Sequence, residues 1–333
     1  MSNQVTTLRD WSLIWLEDGR RCITRQLNCG QDVKRVVETV AKVLRSKEIL
    51  FKTHQHGGRT YVHATKLGPA FFQCIKVDVA EIAKHYPHHR FSPLYTVFKR
   101  YCQGLWDGRT ELRADMAEGL NKVVQKIRQF GKGIALPKRL SNLHRCERAN
   151  AKKARDLLAG IRKSYSKIVA IRLDLEYFSE YGPGQGFHAQ AITVEQAQEH
   201  RDRFLTYLRK GPFAEHLAGY IWKMESAFEK GCHFHFAIFL DGQKVHKDIT
   251  IADLMGEQWK AITEGKGMYF NCNKKKEAYA ECGIGMLNRG DDVMWSYLEK
   301  AIRYMTKIDH YIRFQAPEKS RTFGSGGPYR SGQ

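Results

Sequence analysis

From residue 167 onward, apolar and polar positions alternate in short runs. In KIVAIRLDLEY, Val169, Ile171, Leu173 and Leu175 fall on one side and Arg172, Asp174 and Glu176 on the other. That is the period-two pattern of a half-buried strand. GCHFHFAIFLDG, residues 231–242, repeats it, with Phe234, Phe236, Ile238 and Leu240 on one face and His233 and His235 on the other. GYIWKMESA is a further strand, joined to it by a short connection around Phe228–Gly231. Between the strands the period changes to that of helices. TVEQAQEHRDRFLTYLRKG opens with a capping box, Thr193 to Gln196, and ITIADLMGEQWKAITEG follows as a second helix. A strand near MYFNCN or GIGML comes next. DDVMWSYLEKAIRYMTKIDHY is then a long helix capped by Asp291 or Asp292, with Met294, Leu298, Ala301, Met305 and Ile308 as its apolar stripe. The order β-α-β-β-α-β plus a helix predicts an α+β domain over 166–314, a split-βαβ arrangement with an antiparallel sheet.

Upstream, residues 1–130 are mostly helical in pattern. Val36, Val37, Val40 and Val43 lie at helical spacing, and FSPLYTVFKRYCQGLW and ELRADMAEGLNKVVQKIRQF behave alike. THQHGGRTYVH and KHYPHHRF read as polar, histidine-rich turns. Residues 131–165 form a basic helical linker. From Lys132 to Lys167 there are 11 Lys/Arg against Glu147 and Asp156, which suits either a solvated helix or one that faces phosphates. YGPGQGF is a glycine-rich loop, and 315–333, with SRTFGSGGPYRSGQ, is expected to be a mobile tail.

Composition narrows the partner. The 333 residues carry 55 Lys+Arg against 35 Asp+Glu, a net charge of +20. Nucleic acid accounts for this excess better than a membrane surface does. The first twenty residues lack a signal-peptide pattern, and no apolar run reaches the ~20 residues of a membrane span, so a soluble cytoplasmic protein is expected. The eight cysteines contain no C-x-x-C pair and read as reduced thiols; a structural zinc using Cys272 and Cys282 is disfavoured. No Walker-A sequence is present, so the chain is expected to carry no ATPase of its own.

The chemistry concentrates on two elements. If GYIWKMESA and CHFHFAIFL form a hairpin with Glu225 opposite His233, Lys223 stands opposite His235 and all four side chains share a face. Two imidazoles and a carboxylate leave open positions on a divalent ion, the composition of a Lewis-acid site. Asp174, Glu176 and Arg172 join that face if their strand is the neighbour. A histidine on a buried strand is more often a satisfied core residue; the pairing with Glu225 favours a metal. His54 and His56 share the H-x-H spacing but have no apolar frame. On the last helix, Y-x-x-K occurs twice, as Tyr297–Lys300 and Tyr304–Lys307. Seven residues turn through almost two full turns, so the tyrosines form one row and the lysines another. Alone they read as border residues; beside an open metal site, a tyrosine hydroxyl can attack phosphorus and an ammonium can stabilise the charge that develops.

An H-bulky-H strand followed by Y-x-x-K on a helix resembles the HUH endonucleases: rolling-circle replication initiators, relaxases and related transposases. RLDLEY, HFHFAIFLDG and AIRYMTKIDHYIRF together are similar to the filamentous-phage (inovirus) replication proteins, including the YagK/YfjJ-type prophage proteins, over roughly residues 165–323. The resemblance implies a ferredoxin/RRM-like HUH nuclease domain. In it His233, His235 and Glu225 hold Mg²⁺ or Mn²⁺, Tyr304 is the nucleophile with Lys307 as its partner, and Tyr297 with Lys300 is a second pair. It also implies nicking of one DNA strand at an origin, a 5′-phosphotyrosine link and a free 3′-OH. Single-stranded or origin DNA, with a helicase and polymerase of the bacterial host, are the implied partners. Relaxase or transposase chemistry is the alternative within the class, although here the tyrosines follow the H-x-H. An inactive nucleic-acid-binding module and a zinc-stabilised binding protein are alternatives outside it.

Overall fold

The structure is a computed structural model and describes residues 13–15, 21–23, 25–87, 89–108, 111–178, 192–227, 231–306, 311–314 and 321–327. The chain divides into two compact units, Met1–His144 with Asp309–Arg313, and Arg145–Ile308 with Phe314–Gln333.

The first unit holds β1 (Leu13–Trp15) paired with β2 (Arg21–Ile23), α1 (Arg25–Arg45), β3 (Phe51–His56), β4 (Arg59–Ala64), α2 (Gly68–Ile75), α3 (Val79–His85), β5 (His89–Phe91), α4 (Pro93–Cys102) and α5 (Ala114–Lys132). Val33, Val36, Val40 and Val43 recur every three or four residues, so α1 buries one stripe, against Phe71, Tyr95, Phe98, Val124 and Ile127. Ser92 caps α4 by accepting from the Leu94 N–H, with Pro93 in the first turn. The helical expectation is met among the described residues, but both segments expected as turns are corrected: KHYPHHRF holds the end of α3 and the strand β5. THQHGGRTYVH is not a turn but most of an antiparallel hairpin, β3 against β4, with Phe51 opposite Ala64 and His56 opposite Arg59. Gly57 and Gly58 adopt φ of 57° and 74°, the left-handed backbone a two-residue hairpin turn needs. The strands escape a search for apolar alternation because one face has charged and aromatic groups where a core would put Val or Leu.

The basic segment is a single helix, α6 (Ala135–Ser164), and the boundary between units falls inside it rather than in a separate linker. Its Leu136 belongs to the first core. Its Ala154, Leu158 and Ile161 belong to the second unit.

The second unit continues with β6 (Lys167–Tyr177), α7 (Val194–Lys210), β7 (Leu217–Ala227), β8 (Gly231–Asp241), α8 (Asp248–Ile262), β9 (Gly267–Asn271), β10 (Gly285–Asn288) and α9 (Asp292–Thr306). The short strand β11 (Ile312–Phe314), whose Ile312 and Arg313 belong to the first unit, pairs with β5 there, and β12 (Phe323–Gly326) completes the second unit. The unit is α+β, with an antiparallel sheet ordered β10-β6-β8-β7-β12 and β9 also paired to β6. Thr193 accepts from the Gln196 N–H while the Gln196 side chain accepts from the Thr193 N–H, the expected capping box. Asp291 caps α9 through the Met294 N–H. Both candidate strands near 270 and 286 form, along the same edge of β6. Gln315 to Gln333 is not simply a tail, because β12 extends the sheet with Phe323 opposite Lys223. The glycine-rich loop 181–187 lies outside the described residues.

One sheet face packs Leu173, Trp222, Phe234, Phe236 and Ile238 against Phe204 of α7 and Met255 and Trp259 of α8. The other is apolar over half its length. There Ile168, Ala170, Ile221, Ala237 and Phe239 lie under Leu158 and Ile161 of α6 and under Trp295, Leu298, Ile302 and Met305 of α9. So β6 is covered on both faces here, beyond the half-burial its alternation implies. Past the apolar half the same rows turn polar, with Arg172 and Asp174 on β6, Lys223 and Glu225 on β7, and His235 and His233 on β8. Among the described residues no helix is long and apolar enough to cross a membrane.

Candidate metal centre

The β7–β8 register brings the polar row together. Glu225 pairs with His233 and Lys223 with His235, as the sequence predicts, and β6 lies beside β8 with Asp174 opposite His235. Cross-strand neighbours on one face lie about 5 Å apart, so adjacency in register becomes contact between side chains. One Glu225 oxygen is 3.3 Å from His235 Nε2 and 3.5 Å from His233 Nε2. One ligand atom from each of the three lies within 4.8 Å of the others. Glu225 and His233 are each only 4% exposed.

The other nitrogens of the two rings face outward from this point. His235 Nδ1 donates to Asp174 at 2.7 Å, and His233 Nδ1 donates to the Gly231 carbonyl at 3.4 Å. A metal-ligating histidine characteristically has such a partner, which orients the ring and raises its basicity. The donor set therefore fits a divalent ion: two Nε2 atoms and a carboxylate converge, with both rings held from behind. Among the described residues this is the only group of three or more potential ligands that converges. Cys272 contacts Asp174, at 4.0 Å, while Cys282 donates to the Ile284 carbonyl, so the two do not build a zinc site together.

The electrostatics describe the metal-free state. Burial disfavours charge on Glu225, but Lys223, His235 and two hydrogen bonds from the histidines outweigh it, and its carboxyl stays well below the ordinary range. Asp174 is likewise penalised by burial and held low by Arg172 and His235. Burial opposes charge on His235, yet Asp174 and Glu225 prevail and push it up to about 9. Lys223 pairs with Glu225, and Arg172 pairs with Asp174 at 2.8 Å while donating to the Phe236 carbonyl at 3.2 Å. Glu176 is half-buried on the same β6 face, two residues beyond Asp174.

Tyr297 and Tyr304 are both half-buried on α9, the helix that packs on the sheet face bearing the triad. Gly283 crosses α9 so closely that an added Cβ would lie 2.5 Å from the Leu298 Cα and 2.6 Å from the Tyr297 carbonyl carbon. Lys300 is exposed and paired with Glu281. Lys307 lies outside the described residues. His54 and His56 are exposed on β3. Sequence reasoning passed over Lys223 as a site residue, although the hairpin register already put it opposite His235. Asp174 as the partner of His235 required the long-range β6–β8 register, which no local pattern supplies.

One sheet face thus carries a converging His–His–Glu cluster, and a tyrosine-bearing helix packs on the same face: an α+β domain with a candidate metal site. Comparison with known families is more specific: the YagK/YfjJ C-terminal domain matches residues 140–326, more than half of the chain, and the protein belongs to that family. No curated protein matches the chain. No solved structure matches it either.

Proposed function

We propose that the second unit is an HUH-type nuclease of split-βαβ architecture that cleaves one DNA strand with a tyrosine and initiates rolling-circle replication of a phage or prophage. The observation that carries this reading is the shared face: Tyr297 and Tyr304 sit on the helix that covers the same sheet face as Glu225, His233 and His235. The order β6-α7-β7-β8-α8-β9, with β8 between β6 and β7, supports the split-βαβ assignment.

Each residue then has a task. His233, His235 and Glu225 hold the ion, and Asp174, itself braced by Arg172, holds His235 in the tautomer that presents Nε2. A bound Mn²⁺ or Mg²⁺ supplies Lewis-acid polarisation of the scissile phosphate. Two imidazoles in the donor set favour Mn²⁺ over the harder, oxygen-preferring Mg²⁺. Lys223 adds a positive charge beside Glu225, where an anionic phosphate gains from it. The Tyr304 oxygen bonds to phosphorus and the bond to the 3′ oxygen breaks. That oxygen regains the proton the tyrosine gives up. The products are a 5′-phosphotyrosine link and a 3′-OH that can prime synthesis. Lys307 is assigned to the phenolate, and Tyr297 to a second transfer. A host helicase and polymerase in the bacterial cytoplasm complete the cycle.

The test is cleavage of single-stranded DNA tiled across the replicon that encodes the protein, with Mn²⁺ or with EDTA. The expected products are one fragment with an extendable 3′-OH and one retained on the protein, both absent in EDTA and in His233→Ala and His235→Ala. Tight binding without cleavage of any tile in Mn²⁺ would replace the nuclease by a binding module.

A further inference from the structure

The hairpin β3–β4 has two chemically different faces. Its register puts Lys52 opposite His63, His54 opposite Tyr61 and His56 opposite Arg59. Residues directly opposite in an antiparallel pair share a face, as do alternate residues along a strand. One face of the ribbon is therefore Lys52, His54, His56, Arg59, Tyr61 and His63. The other face carries no charge: Phe51, Thr53, Gln55, Thr60, Val62 and Ala64. The neutral face supplies the attachment. Phe51 is buried, Val62 and Ala64 pack on the first core, and Asn121 of α5 bonds both the N–H and the carbonyl of Phe51. The charged face is solvent-exposed at all six positions.

Packing through Phe51, Val62 and Ala64 accounts for the neutral face, but not for six polar positions gathered on the other. The chemistry of that face does point to a partner. No Asp or Glu occurs between Glu48 and Asp78, so nothing within the segment neutralises Lys52 and Arg59. Tyr61 is 45% exposed and lies stacked with His54, ring centroids 5.5 Å apart at 19°. Cations interleaved with stacked aromatic rings suit nucleic acid, and a two-stranded ribbon has the width of the major groove. The glycine tip offers a membrane no apolar anchor.

We propose that the β3–β4 hairpin is a duplex-DNA-binding ribbon of the first unit, with Lys52 and Arg59 on phosphates and the His54–Tyr61 stack against the groove. This assigns a role to a region outside the matched family domain and does not rest on the nuclease reading. The test is fluorescence anisotropy of the full chain, in EDTA, with a 30-base-pair duplex, the corresponding single strand, and anionic phosphatidylglycerol vesicles. Lys52→Ala/Arg59→Ala should weaken duplex binding about tenfold and reduce the salt slope by about two. Tyr61→Ala should weaken it further, whereas Gln55→Ala/Thr60→Ala, on the neutral face, should bind as the parent does. An unchanged thermal melt for each variant shows that the fold is intact. Equal duplex affinity of parent and Lys52→Ala/Arg59→Ala overturns the proposal. So does a loss confined to the single strand or to vesicles.

Discussion

At the residue scale, the proposed metal site depends on a carboxylate that stands behind a ligand rather than among the ligands. Asp174 fixes His235 from behind, so Asp174→Asn should weaken Mn²⁺ binding about 10- to 100-fold while the protein stays folded, read by electron paramagnetic resonance titration. The charges also set a pH dependence. Metal-free His235, raised to about 9, holds a proton at neutral pH that an ion must displace. Apparent Mn²⁺ affinity should therefore climb roughly tenfold per pH unit from 7 and level off near 9. For the metal-free protein the sign is opposite. His235 contributes stability that is complete below its ordinary pKa and is lost as pH rises through about 9. Asp174 and Glu225, both depressed, contribute stability above the ordinary carboxylate range that is lost on acidification. Glu225→Gln removes the buried carboxylate charge that pairs with Lys223 and should cost about 3 kcal/mol in denaturant unfolding. The triad itself was legible from sequence, because Glu225 and His233 belong to one hairpin and local register decides their contact. Asp174 was visible only as a face, since its partner lies 61 residues away on another strand.

At the element scale, helix and strand types followed from period and caps wherever burial enforces a period. The strand β8 shows this: its alternation survives because one face meets Trp259 and Phe204 and the other meets α9 or the triad. The hairpin β3–β4 was not legible as strands, since its exposed face was free to be polar. The strand β12 was hidden for a different reason: FGSG has almost no side chain to pattern, and Gly324 is required because a Cβ there would meet the Trp222 ring at 2.5 to 2.8 Å. Gly283 gives an element-scale prediction. Its missing Cβ lets the chain cross α9 against backbone atoms that cannot yield, so Gly283→Ala should displace the tyrosine helix. Strand cleavage should fall at least tenfold while the Mn²⁺ titration stays unchanged, because β7 and β8 supply the ligands.

At the scale of the whole molecule, the two units have separate apolar cores, and the sheet of the second packs apolar side chains on both faces, away from the triad. Folding energy therefore comes from packing, unlike in a zinc-stabilised module. EDTA should shift the melting temperature by only a few degrees, whereas Trp259→Ala, deleting a wholly buried side chain, should cost about 3–5 kcal/mol. The charge of +20, read from composition alone, pointed to a polyanion but could not say which surface meets it. On α6, Arg145, Arg148 and Arg155 are exposed, so the helix carries part of the excess positive charge at the solvent. The measurement that tests the central claim most directly is peptide mapping, by mass spectrometry, of the protein after reaction with cleavable single-stranded DNA and Mn²⁺. A nucleotide attached to Tyr304, and moved or abolished by Tyr304→Phe, is the predicted result. A nucleotide attached outside α9, or cleavage with no protein–DNA link at all, would contradict it.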